Sequence, residues 1–108
     1  MSKSAITIDY AVADGLPPTH PGEILREELA ELGLSANAFA RKIKVPTNRV
    51  TEILAGRRGV TAETALRLAR FFGTSAQLWM NLQTTYDLKR AAAESGEDIV
   101  CQVEPRAA

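Results

Sequence analysis

Thr47, Asn48, Arg49 and Glu52 bring a hydroxyl, an amide, a guanidinium and a carboxylate together within six residues. These groups complement base edges in the major groove of duplex DNA. An amide pairs with adenine in bidentate fashion, a guanidinium takes guanine or a phosphate, and a carboxylate accepts from cytosine N4. Glu52 has a second use open to it, an ion pair with Arg49 three residues earlier on one helix, and in that case it reads nothing. Arg57 and Arg58 follow in a loop and suit phosphate oxygens. So does the start of a preceding helix at Ser35, Ala36 and Asn37, where N–H groups point outward. Phosphate contacts position a protein on the duplex without selecting a sequence.

Side chains used this way need a rigid mount. Residues 35–58, SANAFARKIKVPTNRVTEILAGRR, read as two short helices joined by a tight turn. Phe39 and Ile43 stand i, i+4 on the first helix, Val50 and Ile53 stand i, i+3 on the second, and Val45 lies between them. Ala40 falls where the helices cross, and its small side chain lets them approach. Ser35 suits the N-cap of the first helix. Lys44 occupies the turn position that favours a left-handed backbone, where a residue other than glycine costs roughly 1 kcal/mol. Pro46 fixes φ just ahead of Thr47 and pushes Val45 into an extended conformation.

The outward face of this unit is basic. Between Arg41 and Arg58 stand six positive residues and one negative, a net +5, in a chain whose formal net charge is +0. Residues 23–40 and residues 91–108 each carry −3, so the field is segregated. A solvated helix face accounts for charge anywhere on a surface, but here the charge coincides with the two-helix pattern and points to a polyanionic partner.

At 108 residues the chain reads as one all-α domain of five helices with appended ends, able to bury roughly two-thirds of its unfolded surface. Residues 1–20 are expected as an N-terminal extension, with a possible strand over Ile6–Tyr10 and a mobile, turn-rich stretch after it. A helix starts at Pro21 and stops at Gly33, with Leu25, Leu29 and Leu32 toward the core and an acidic outer face. The two short helices follow, from Ser35 to about Ile43 and from about Thr47 to Leu54, with Gly56 as the stop. Thr61 caps a fourth helix that carries Ala65, Leu68, Ala69 and Phe72 on one face and ends at Gly73. Thr74 and Gln77 form a capping box for a fifth, which runs to about Ala93 and closes the domain at residues 21–93. Residues 94–108 are expected as a tail, either disordered or with a short strand over Ile99–Val103.

The order of elements resembles the lambda-repressor-like family of DNA-binding domains. The phrases HPGEILREE, NRVTEILAGRRGVTAETALRLARFFGTS and LWMNLQTTYDLKRA resemble the HigA-type antitoxins of bacterial toxin–antitoxin operons, and the likeness covers about residues 19–93. This chain departs from the usual pattern at Lys44, where glycine is common. The resemblance implies a homodimer that represses its own operon by binding an inverted-repeat operator in double-stranded DNA. It also implies neutralisation of a RelE-like, HigB-type ribonuclease toxin that cleaves messenger RNA. A free-standing repressor of the same fold, with no toxin partner, is the alternative.

Catalysis is not expected. His20 is the only histidine, reads as a solvent-facing loop residue, and has no neighbours from which a triad or metal set can be built. Glu23, Glu27, Glu28 and Glu31 fit a hydrated helix face, and the scattered glycines form no cofactor-cradling loop. Cys101 is the only cysteine, with no zinc spacing around it, which fits a reducing cytoplasm. No apolar run approaches the roughly 20 residues of a membrane span, and the N-terminus lacks the apolar stretch of a signal peptide.

A contact with other proteins has its own candidates. The fifth helix carries Leu78, Trp79, Leu82 and Tyr86 as a core stripe, with Met80 and Leu88 outside it. Those two residues are the candidate dimer interface, although single exposed hydrophobes need no such explanation. The acidic ends, with Asp9 and Asp14 toward one terminus and Glu94, Glu97, Asp98 and Glu104 toward the other, suit a basic partner and equally suit an ordinary soluble tail.

Overall fold

The computed structural model describes residues 16–107; the expected strand over Ile6–Tyr10 lies outside them. Five helices follow in order: α1 (Pro21–Leu32), α2 (Ala36–Ile43), α3 (Thr47–Leu54), α4 (Ala62–Phe72) and α5 (Ala76–Gln102). The described residues contain no strand, and the fold is all-α. They divide into two compact units, one of Thr19–Thr84 and the other of Thr85 onward with the N-terminal residues up to Pro18.

The first unit is built on the apolar spacing of its helices. Leu25 and Leu29 from α1, Phe39, Ala40 and Ile43 from α2, Val50 and Ile53 from α3, Ala65 and Leu68 from α4 and Trp79 from α5 form one buried cluster with Val60. Phe39 is its fully buried centre, met edge-on by Phe71 at 5.1 Å between ring centroids. Such aromatic pairs add about 0.5–1.5 kcal/mol beyond the area they bury. Leu32 is exposed and not part of the core as expected, because α1 ends there and Gly33 turns the chain away at φ 69°.

The helix ends differ from expectation in two places. His20 is buried and not solvent-facing: it is the N-cap of α1, and its Nδ1 accepts from the Gly22 N–H at 2.9 Å. The expected capping box of Thr74 and Gln77 does not form. Ser75 Oγ accepts from the Leu78 N–H instead, leaving the Thr74 hydroxyl to accept from the Trp79 indole N–H at 3.0 Å. Gln77 bonds Asn81, one turn along. Gln83, a polar residue inside an apolar stripe, is buried and accepts from the Val60 N–H at 2.7 Å, tying α5 to the loop before α4.

Leu78 is largely exposed, while Met80 and Leu82 are half-buried against the core. Met80 therefore belongs to the packing of this unit, contrary to its expected place outside the stripe. In the second unit α5 continues without a break to Gln102, so the expected end near Ala93 and the strand over Ile99–Val103 are both replaced by helix. Ser95 and Gly96 resemble a stop signal, but glycine in a helix interior costs only about 0.5–1 kcal/mol. Three alanines, Ala91 to Ala93, and the Arg90–Glu94 ion pair at 3.0 Å favour continuation. Tyr86, expected in the core stripe, lies in this second unit, half-buried with the Arg90 guanidinium 5.6 Å from its ring centroid.

Two backbone positions yield opposite expectations. A Cβ on Gly22 would stand 1.9 Å from the Ile53 carbonyl oxygen, because α1 begins directly against the end of α3. Gly22→Ala is expected to lower stability by about 1–3 kcal/mol, as overpacking against rigid backbone does. Lys44 is exposed at φ 63°, so Lys44→Gly is expected to raise stability by up to about 1 kcal/mol, offset in part by the entropy glycine adds to the unfolded chain. Thermal melts followed by circular dichroism check both signs.

Candidate nucleic-acid interface

The turn between α2 and α3 sets the geometry of the basic face. Lys44 closes α2 in the left-handed region, the Val45 N–H returns to the Ala40 carbonyl at 3.0 Å, and Pro46 stands extended as the N-cap of α3. Arginines on neighbouring helices then cap the carbonyl ends of both helices. Arg67 Nη1 donates to Ile43 O at 2.8 Å, and Arg26 Nη2 donates to Leu54 O at 2.8 Å. Cations at these ends also oppose the negative pole of each helix.

The starts of the two helices are joined. Thr47 Oγ1 donates to Asn37 Oδ1 at 2.8 Å, which brings a residue expected to read bases beside one expected to hold phosphate. Ser35 is committed to its own helix, accepting from the Ala38 N–H at 3.1 Å. Ala36 turns its side chain toward the core. Asn48 is exposed at the start of α3, and Arg57 is exposed in the loop after it.

The arginines pair differently from the expected pattern. Glu52 does not bond Arg49; its carboxylate lies 2.8 Å from Arg58 Nε. Arg49 Nη1 reaches instead across to Glu63 Oε1 on α4, at 2.9 Å. The second oxygen of Glu63 takes Arg67 Nε at 2.7 Å. The i, i+4 spacing of Glu63 and Arg67 was available in the sequence, whereas the contact with Arg49 joins two helices and has no local signal. The hydrogen bond from Arg67 holds the Glu63 carboxyl below the usual carboxylate range; desolvation opposes this, and the charge of Arg67 and the hydrogen bond and charge of Arg49 add to it.

Among the described residues no group of three or more histidine, cysteine or acidic side chains could hold a metal ion. None of their helices is long and apolar enough to cross a membrane. The chemistry on offer is hydrogen bonding and charge: the exposed amide of Asn48, the guanidinium groups, and N–H groups at two helix starts.

The lowered pKa of Glu63 has a defined sign. A depressed carboxyl favours the charged, paired state, so the links to Arg67 and Arg49 are complete above the ordinary value of 4.5 and weaken as pH falls through the lowered value. In an NMR titration the Glu63 midpoint is expected below 4.5, with Arg67→Ala returning it closer to that value than Arg49→Ala does.

Comparison with known proteins bears on this surface. The family profile described as Helix-turn-helix matches residues 25–79. Virulence-associated protein I of Dichelobacter nodosus is 57% identical over 77 residues, which are 70% of this chain and 71% of that protein. The structure of an addiction module antidote protein of a HigA family from Coxiella burnetii superposes with a TM-score of 0.82 at 54% identity, over 84% of this chain and 100% of that one. The Pseudomonas aeruginosa antitoxin HigA, solved with the higBA promoter, superposes with a TM-score of 0.80 at 48% identity, over 83% of this chain and 99% of that one. The match is continuous from α1 into α5 at close to half identity or better, and the chain belongs to the helix-turn-helix family and, within it, to the HigA-family antitoxins, which are not enzymes.

Proposed function

We propose that this protein is a cytoplasmic antitoxin that represses its own operon. As a homodimer it binds an inverted-repeat operator in double-stranded DNA, and it neutralises a RelE-like, HigB-type ribonuclease toxin. The observation that carries the DNA half is the Thr47–Asn37 bond at 2.8 Å, which locks the starts of α2 and α3 together beneath a face of net +5. In this reading Thr47, Asn48, Arg49 and Glu52 meet base edges, and Ser35, Asn37, the backbone of Ala36, Arg57 and Arg58 meet phosphates. Glu52 and Arg58 act as a pair, so a base contact by one frees or reorients the other. The related Pseudomonas antitoxin, solved with the higBA promoter, supports operator binding.

Dimer formation follows from half-site geometry, since a symmetric pair of reading helices matches half-sites about 10 base pairs apart or a multiple of that. Leu88, about 50% exposed in the second unit, is the residue we assign to the seam. Met80 is at most a contributor, because it already packs on the core. The toxin half rests on the antidote and antitoxin names of the related proteins and on the acidic residues after Thr85, suited to a basic partner.

Two measurements check the proposal. In anisotropy titrations Arg57→Ala is expected to weaken binding to all duplexes and to lower the salt slope by about 1, whereas Asn48→Ala costs roughly 1–3 kcal/mol at one base position. Absence of duplex binding by the wild-type protein at low salt would sink the DNA half. For the toxin half, the product of the neighbouring reading frame is co-expressed: growth arrest is expected from it alone and relief with this protein. Alanine at Arg49, Arg57 and Arg58 together should abolish operator binding while relief persists. Arrest unchanged by this protein leaves a plain repressor.

A further inference from the structure

Arg49 is the only arginine of α3, and its guanidinium is already engaged. It bonds Glu63 Oε1 at 2.9 Å, with the arginine side chain 29% exposed and the glutamate 56% exposed. The other oxygen of that carboxylate is held by Arg67 at 2.7 Å, and Arg67 is itself anchored to the last carbonyl of α2, Ile43 O, at 2.8 Å. One chain of contacts therefore runs from α2 through α4 to the reading face of α3, with Glu63 at its centre. Stability does not account for it, since exposed ion pairs contribute a median of roughly 0–1 kcal/mol. Its consequence lies in what Arg49 can bond. A free guanidinium on a basic surface takes any phosphate; one held by a fixed carboxylate must exchange that acceptor for another that is equally strong and correctly placed.

We propose that Glu63 is a positioning residue that determines specificity: it aims the Arg49 guanidinium and withholds it from indiscriminate phosphate contact. Arg49 then engages a duplex only where a guanine edge or a phosphate lies along that aim. The inference rests on the DNA-binding function proposed above and assigns a role to an acidic residue outside the reading helix. A carboxylate near phosphates also repels them, but that effect acts with or without Arg49. Positioning acts only through it.

The probes are a duplex selected by the wild-type protein from a pool randomised over about 20 base pairs, two turns of DNA, and a scrambled duplex of the same length. Glu63→Gln is expected to bind the scrambled duplex about threefold to tenfold tighter, to lose a similar factor in the selected-to-scrambled ratio, and to show a steeper salt dependence. Glu63→Asp keeps the charge but is one methylene too short to span both arginines, and it should lose the ratio as well. In an Arg49→Ala background, Glu63→Gln should leave the ratio unchanged. Circular dichroism melts establish that each variant is folded. A ratio unchanged in Glu63→Gln or Glu63→Asp overturns the role of Glu63, and so does a loss that persists without Arg49. Failure of the wild-type protein to select any duplex overturns this inference together with the DNA-binding function.

Discussion

The left-handed turn at Lys44 is the constraint on which the rest of the DNA-facing unit depends. With φ at 63° and ψ at 48°, this one residue ends α2 and redirects the chain, so that α3 begins three residues later across the same core. Only along that path do Phe39 and Ala40 meet Val50 and Ile53, and only then does Thr47 reach Asn37. A lysine in this conformation is strained by roughly 1–2 kcal/mol. Burying a single large apolar side chain contributes about 1.5–3 kcal/mol, and the turn brings several together, so packing decides the backbone and not the reverse.

A second constraint follows from concentrating positive charge on two short helices with the turn and loop that follow them. Six cations between residues 41 and 58 repel one another; two of them, Arg49 and Arg58, are held by carboxylates, and Arg26 and Arg67 on the flanking helices are held as well. Glu52 takes Arg58, Glu63 takes Arg49 and Arg67, and the helix-end carbonyls of Ile43 and Leu54 take Arg67 and Arg26. Each contact is exposed or partly exposed and weak in isolation. Their shared effect is to fix the direction of side chains that would otherwise sweep through solvent.

What was legible in the sequence was whatever had a local period or a local steric rule. The apolar spacing of α2 and α3, the caps at Ser35 and Thr61 and the turn at Lys44 all rest on interactions within a few residues, and all were found where expected. His20 departs from its expected exposed place because its ring is buried, with Nδ1 turned back onto the first turn of α1, where it accepts from the Gly22 N–H. Gln83 has no local signal that sets it apart, since it satisfies the Val60 N–H 23 residues away. α5 runs past its expected end near Ala93 because three alanines and an i, i+4 ion pair carry the helix through Ser95 and Gly96. The pairing of Arg49 with Glu63 was missed for the same kind of reason, because Arg49 had a nearer carboxylate at Glu52 and only the packing of α4 on α3 decides between them.

In the proposed function, stability and recognition fall to different faces of the same two helices. Phe39, Val50 and Ile53 are fully or nearly fully buried, so they can support the proposed reading surface but cannot tell one duplex from another. Asn48 and Arg57 are exposed and, by the usual behaviour of surface positions, add little to stability. Gly22 and Glu63 belong to neither class. Gly22 sets how closely α1 approaches α3, and Glu63 sets where a side chain of α3 points. Residues of this third kind connect the core to the surface: Gly22 lies where α1 meets the backbone end of α3, whereas Glu63 joins exposed guanidinium groups of α3 and α4. In the proposed function, recognition therefore depends on the supports that hold these donors as well as on the donors themselves.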